Sequence, residues 1–182
     1  SCPQRTCGML TELRKKKRKP KRKRKKDLTL KGSPADAKTF ALKLLSYRSR
    51  SRKEMSDRLK RKGFSHETIS NTLQFLENSS LIKDEALVEE LIRYSTERKL
   101  LGRKGMELFL TKRGINKDLM HSALSNHTEE IEEQSARTFV EKKLRSMNKY
   151  PADVVKRRLW GMLQRRGFSA RIISRVVEAI KL

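Results

Sequence analysis

The sequence predicts an all-α protein, an elongated tandem array of three three-helix repeats behind a disordered basic N-terminal tail. Three observations predict it. One phrase recurs three times, as Leu59-Lys60-Arg61-Lys62-Gly63-Phe64-Ser65, Leu110-Thr111-Lys112-Arg113-Gly114-Ile115-Asn116 and Leu163-Gln164-Arg165-Arg166-Gly167-Phe168-Ser169, with its glycines 51 and then 53 residues apart. Apolar residues keep fixed offsets from those glycines. Met55, Met106 and Leu159 stand eight before, Ile69, Met120 and Ile173 six after, and Leu73, Leu124 and Val177 ten after. Steps of three and four residues stay on one helical face. Finally, no segment has the two-residue alternation of a half-buried strand.

Each phrase reads as helix, tight turn, helix. Basic residues suit a helix C-terminus, where the macrodipole favours positive charge. Glycine takes the left-handed conformation that ends a helix. Ser65, Asn116 and Ser169 can then accept hydrogen bonds from the free amides of the next helix. Units of this size with apolar-faced helices are expected to pack together or in series rather than bury their stripes alone.

Residues 1–35 read as the tail. Arg14 to Lys26 holds twelve basic residues and Pro20 in thirteen positions. Such a block repels itself and has nothing to bury. It suits a non-specific grip on phosphates, or a nuclear address in a cell with a nucleus.

Repeat 1 covers residues 36–80. Phe40, Ala41, Leu44 and Leu45 stripe its first helix, and Ser51-Arg52-Lys53-Glu54 has the capping-box form that starts a second. Repeat 2 covers 81–126, with Leu81-Ile82 expected to plug against a neighbouring repeat and Asp84 expected to cap its first helix. Gly102-Arg103-Lys104-Gly105 is a helix–helix turn. A phosphate cradle there would need a preceding strand and a Gly-Lys-Ser/Thr ending. Repeat 3 covers 127–182. Acidic residues from Glu129 to Glu133 suit a first helical turn, and Tyr150-Pro151 suits a helix start with proline at the first helical position. Trp160 is expected in the core or between repeats.

The chain has 182 residues and a formal net charge of +25. Without the tail, residues 27–182 keep 33 basic and 20 acidic residues, a surplus of 13. The expected partner is polyanionic, and with 5% aromatic residues base stacking is not its main source of affinity. No apolar run reaches membrane-spanning length, and no secretory signal core opens the sequence. Cys2 and Cys7 make no disulfide framework and lack the nearby histidines of a zinc site. A reducing cytoplasmic setting fits.

No catalytic constellation, metal set or cofactor motif emerges. His66, His121 and His127 fall on polar faces, and the acids cluster at helix starts where capping accounts for them. The expected function is binding. The candidate anion-facing surface comprises Lys60, Arg61, Lys62, Lys112, Arg113, Arg165 and Arg166, which recur beside the same turn, with Arg50, Arg52 and Lys53 crowding the start of the second helix. Ordinary helix C-terminal charge is the alternative for each of them.

The residues also support a family resemblance. Ala41-Leu42, Leu44-Leu45, Arg48 to Met55, Leu59, Lys62-Gly63-Phe64, Ile69 and Leu73 resemble the opening repeat of the RecX family. Ser80 to Asp84, Glu90, Gly102-Arg103-Lys104, Glu107-Leu108 and Lys112 to Ile115 resemble its middle repeat, and Leu163 to Phe168 its third. Ser80 departs from a usual glycine, Lys83 from a common aspartate and Arg103 from a frequent proline. The resemblance implies a monomeric modulator of a RecA-type recombinase. It would bind the RecA–DNA filament, touch single- and double-stranded DNA, and restrain filament growth, ATP hydrolysis or strand exchange without a cofactor. Two other readings compete. A general DNA-coating protein would act through tail and repeat charge alone, with steep salt dependence. An operator reader would insert the helices after each turn into the major groove, but His66-Glu67-Thr68, Lys117-Asp118-Leu119 and Ala170-Arg171-Ile172 offer no repeated base-reading set.

Overall fold

The computed structural model describes residues 33–180. The expectations for the basic block at Arg14–Lys26, and for Cys2 and Cys7, lie outside the described residues. All regular structure within them is helical: α1 (Pro34–Tyr47), α2 (Arg52–Lys62), α3 (His66–Asn78), α4 (Asp84–Tyr94), α5 (Arg103–Lys112), α6 (Lys117–Leu124), α7 (Glu129–Leu144), α8 (Ala152–Arg165) and α9 (Ala170–Glu178). A π-helical turn, Ser95–Lys99, extends α4.

The repeated phrase folds as its chemistry dictates. Gly63, Gly114 and Gly167 all take positive φ, at 97°, 76° and 84°. The Phe64, Ile115 and Phe168 amides then donate back to the carbonyls of Leu59, Leu110 and Leu163, closing the last turn of each helix. The Ser65, Asn116 and Ser169 side chains accept from the Thr68, Asp118 and Ile172 amides at the start of the next helix. Ser51 caps α2 in the same way. Ser80, where a glycine is usual, does take a positive φ of 56°.

Each helix triplet closes a core of its own, contrary to the expectation that the stripes need neighbouring copies. Met55, Leu59, Ile69, Leu73 and Leu76 pack with Ala37 and Ala41 in the first. Leu87, Val88, Leu91, Met106, Leu110, Met120 and Leu124 form the second. Phe139, Val140, Val155, Leu159, Leu163, Ile172, Ile173, Val176 and Val177 form the third. Burying each large side chain contributes about 1.5–3 kcal/mol, so short helices hold together without a shared core. Two residues cross a boundary. Ile82 joins the first core while Leu81 stays exposed, so only half of the expected plug exists. Leu100, just beyond the π turn, enters the third core at a φ of 51°.

The triplets are joined through helix N-termini, and both joints use one plan. At the first, the Asp84 carboxylate accepts from the Arg52 amide at 2.9 Å, and the Ser51 hydroxyl donates to the Arg113 carbonyl at 2.7 Å. At the second, Glu132 accepts from the Arg103 amide at 3.0 Å, and the Gly102 amide donates to the Arg166 carbonyl at 3.1 Å. An acid from the first helix of one triplet thus satisfies a free amide on the middle helix of the preceding triplet, while the arginine–glycine turn lies over that helix start. Asp84 therefore caps α2 rather than its own helix, which carries no side-chain cap. Burial raises the pKa of both Asp84 and Glu132, against the lowering effect of those amide bonds.

Other expectations need correction. Trp160 is 37% exposed rather than in the core or between repeats. His127 is buried at the α6–α7 junction rather than on a polar face. Pro151 is the N-cap of α8, one residue before its first helical position.

Candidate functional site

The sequence-predicted cations separate into an exposed set and a packed set. Lys60, Arg61 and Lys62 end α2 and are exposed, as are Arg52 and Lys53 at its start, Lys112 at the end of α5 and Arg165 at the end of α8. Gly63 beside the first group has open space where a Cβ would stand, so nothing covers that turn. Arg50, Arg113 and Arg166 are different. Each is tied to protein groups, Arg50 being buried and Arg113 and Arg166 half-buried.

Arg50 is only 7% exposed. Its guanidinium pairs with Glu54 and donates to the Leu44 carbonyl at 3.2 Å. Glu54 also draws Arg48 to 2.5 Å, Arg113 to 3.6 Å and Arg58 to 3.8 Å. One carboxylate thus neutralises four guanidiniums only in part. Arg113 donates to the Ser49 carbonyl at 2.9 Å. Burial, then the nearby Arg48 charge, pushes its pKa down against the pull of Glu54. Arg166 holds the second joint, donating to the Lys99 carbonyl and lying 4.3 Å over the Phe139 ring. Burial lowers its pKa as well. The residue before each turn glycine is therefore a clamp in the second and third triplets, and the matching Lys62 in the first is exposed.

The structure gathers Arg52, Lys53 and Lys60 with Lys117 around one cleft of about 560 Å³ at the first joint. Asp57 and Asp84 also line it, leaving four cations against two acids. Arg52 is drawn to Glu77 at 2.6 Å, so Lys53, Lys60 and Lys117 are its less encumbered charges. Such an electropositive concavity raises the local concentration of polyanions. Lys117 escaped sequence reasoning because a lysine just after an N-cap stands against the helix dipole and looks incidental. Its signal was its place two residues after the Ile115 that follows the turn glycine. Arg61, Lys62 and Lys112 do not line this cleft, and Arg165 lies in another at the second joint.

Among the described residues no cluster of His, Cys, Asp and Glu could hold a metal ion, and no helix is long and apolar enough to cross a membrane.

The arrangement has counterparts. The family model described as RecX, first three-helix domain, matches residues 37–76, and that described as RecX, third three-helix domain, matches residues 130–177. A protein of Corynebacterium efficiens called regulatory protein RecX is 34% identical over 141 residues, 75% of this chain and 67% of the relative. The regulatory protein RecX of Thermobifida fusca is 30% identical over 144 residues, 79% of this chain and 78% of its own. The crystal structure of RecX from Lactobacillus salivarius superposes with a TM-score of 0.67 at 26% identity, covering 80% of this chain and 94% of that one. The three helix triplets, their sequence and their spacing are those of regulatory proteins of one kind, and the chain belongs to the RecX family.

Proposed function

We propose that the chain regulates a RecA-type recombinase by binding the recombinase–DNA filament and restraining its growth, ATP hydrolysis and strand exchange. Family membership supports a regulatory role. The observation that carries the anionic partner is the cleft where Arg52, Lys53, Lys60 and Lys117 converge, beside the uncovered turn of Lys60, Arg61 and Lys62. Those side chains, with exposed Lys112 and Arg165, form the proposed contact surface for filament and DNA. Arg50, Arg113 and Arg166 support it by fixing the helices. Charge speeds encounter, and apolar and shape contacts select the partner. No cofactor enters this reading.

The test combines Lys53→Glu, Lys60→Glu, Arg61→Glu and Lys62→Glu in the full chain. The expected result is loss of binding to ATP-loaded filaments and loss of their inhibition, with helicity retained. Unchanged filament binding overturns the surface. The net charge of +25 favours one other reading, a general DNA coat. That reading requires bare DNA to compete as well as the filament, and affinity to fall steeply with salt whether or not the recombinase is present.

A further inference from the structure

At the second joint the π turn, α7 and α8 line a separate open cleft of about 630 Å³ whose lining contains no acidic residue. Arg98, Lys143 and Arg165 stand around it and are exposed. Among the described residues none of the three has a carboxylate within ion-pair reach. Among the described residues, three cations thus surround one concavity with no paired counter-charge. The inner wall is already committed. Arg166 donates to the Lys99 and Leu100 carbonyls, and the Lys99 ammonium sits 5.0 Å from the Phe109 ring centroid. Met162 is half-buried in the lining, and the Arg166 guanidinium centre lies 4.3 Å from the ring centroid of Phe139, which is itself buried in the third core.

Two backbone features fix this arrangement. The π turn adds to the end of α4 and carries Arg98 and Lys99 toward α7, and such insertions are often found at functional sites. Leu100 then takes its positive φ with its side chain buried among residues of the third core. A non-glycine residue in that region is strained and persists only where its surroundings enforce it. The cations on the π turn are therefore tied to both triplets.

We propose that this cleft binds a nucleotide unit of single-stranded DNA, its phosphates among Arg98, Lys143 and Arg165 and its base against Met162 and the Arg166 guanidinium. The size falls within the range of about 300–1,000 Å³ common to small-ligand sites. Guanidinium planes and apolar side chains take an unstacked base, whereas a duplex keeps its bases stacked and unavailable to a concave site. An acidic peptide would satisfy the rim and leave Met162 without a matching group. This inference deepens the proposed function by naming a strand-contacting surface, but it needs no recombinase, so its test contains none.

The test compares two variants of the full chain, Arg98→Gln/Lys143→Gln/Arg165→Gln and a charge-matched control, Lys43→Gln/Lys149→Gln/Lys156→Gln. Each is titrated against a fluorescent oligothymidylate, the matching duplex and a polyglutamate peptide. The cleft variant is expected to weaken single-strand binding about tenfold more than the control does, with a smaller effect on the duplex. In the wild-type chain, an oligonucleotide carrying 5-iodouracil is expected to photocross-link at Met162. Free thymidine monophosphate distinguishes the source of the nucleotide. If it blocks the cross-link the cleft accepts an isolated nucleotide, and if only the strand blocks it neighbouring phosphates are required. Equal losses in the two variants overturn the proposal. So do cross-links found only outside the cleft, or polyglutamate displacing the oligonucleotide from the wild-type chain as well as unlabelled oligothymidylate does.

Discussion

Gly167 packs so closely on Gly105 that a Cβ built on either would overlap the other segment's backbone. Gly114 repeats the relation at the first joint, where its Cβ would lie 2.7 Å from the Ser51 hydroxyl. The turn glycines therefore do two things, reversing the chain and admitting a neighbouring helix start. Gly63 does only the first.

This difference predicts a graded response to alanine. Gly63→Ala meets only the left-handed backbone cost, about 1–2 kcal/mol. Gly167→Ala adds the overpacking cost of about 1–3 kcal/mol. Urea denaturation of the two variants measures the difference, and equal losses would show that the close approach carries no energy.

Glu54 provides the second prediction. Replacing it with glutamine removes the one carboxylate among Arg48, Arg50, Arg58 and Arg113 and leaves Arg50 buried without its counter-charge. The expected loss is about 3–5 kcal/mol, the cost of breaking a buried pair from one side. Thermal unfolding reads it, and a loss no larger than that of an exposed ion pair would refute the account.

His127 makes stability depend on pH. Burial, then the positive charge of Arg103, lowers its pKa below 6.5, and neither ring nitrogen has a hydrogen-bond partner among the described residues. The folded state thus binds fewer protons than the unfolded state between the two pKa values. Its contribution favours folding above the unfolded pKa of about 6.5 and is lost as pH falls from there through the folded value. Denaturant melts at a series of pH values should show wild-type stability falling across that window relative to His127→Gln. A constant difference between the two would exclude the linkage.

Leu100 tests the attachment of the second triplet to the third. Leu100→Ala should cost about 2–4 kcal/mol, as for other core leucines. By hydrogen exchange, the loss of protection should appear in α7 and α8 although the residue follows α4 in sequence. Protection lost only in α4 would contradict its place in the third core.

The helices were legible because their signals are local. Capping serines, turn glycines and apolar offsets act within a few residues, and Ser51, Ser65, Asn116 and Ser169 cap as their positions predict. The joints were not legible, because their partners lie far apart in sequence. Arg113 and Arg166 look like Lys62 in sequence, and only the neighbouring triplet turns them from surface charge into clamps. Asp84 misled for the same reason, since an acid in a first helical turn resembles a cap for its own helix. His127 was placed on a polar face, but it stands between α6 and α7, outside any helical stripe, and is buried there.

Pro151 sets the third middle helix apart from the other two. Each joint needs a donor at the cap of a middle helix, the Ser51 hydroxyl in one case and the Gly102 amide in the other, directed at the carbonyl of an incoming turn. Head-to-tail contacts of this sort do not close on themselves, and left open they would thread copies into a fibre. The third middle helix has proline at that cap, which has neither a hydroxyl nor an amide hydrogen. The start of α8 therefore lacks the cap donor used at both joints, and a Lys62–Gly63 turn brought to it would not find that hydrogen bond.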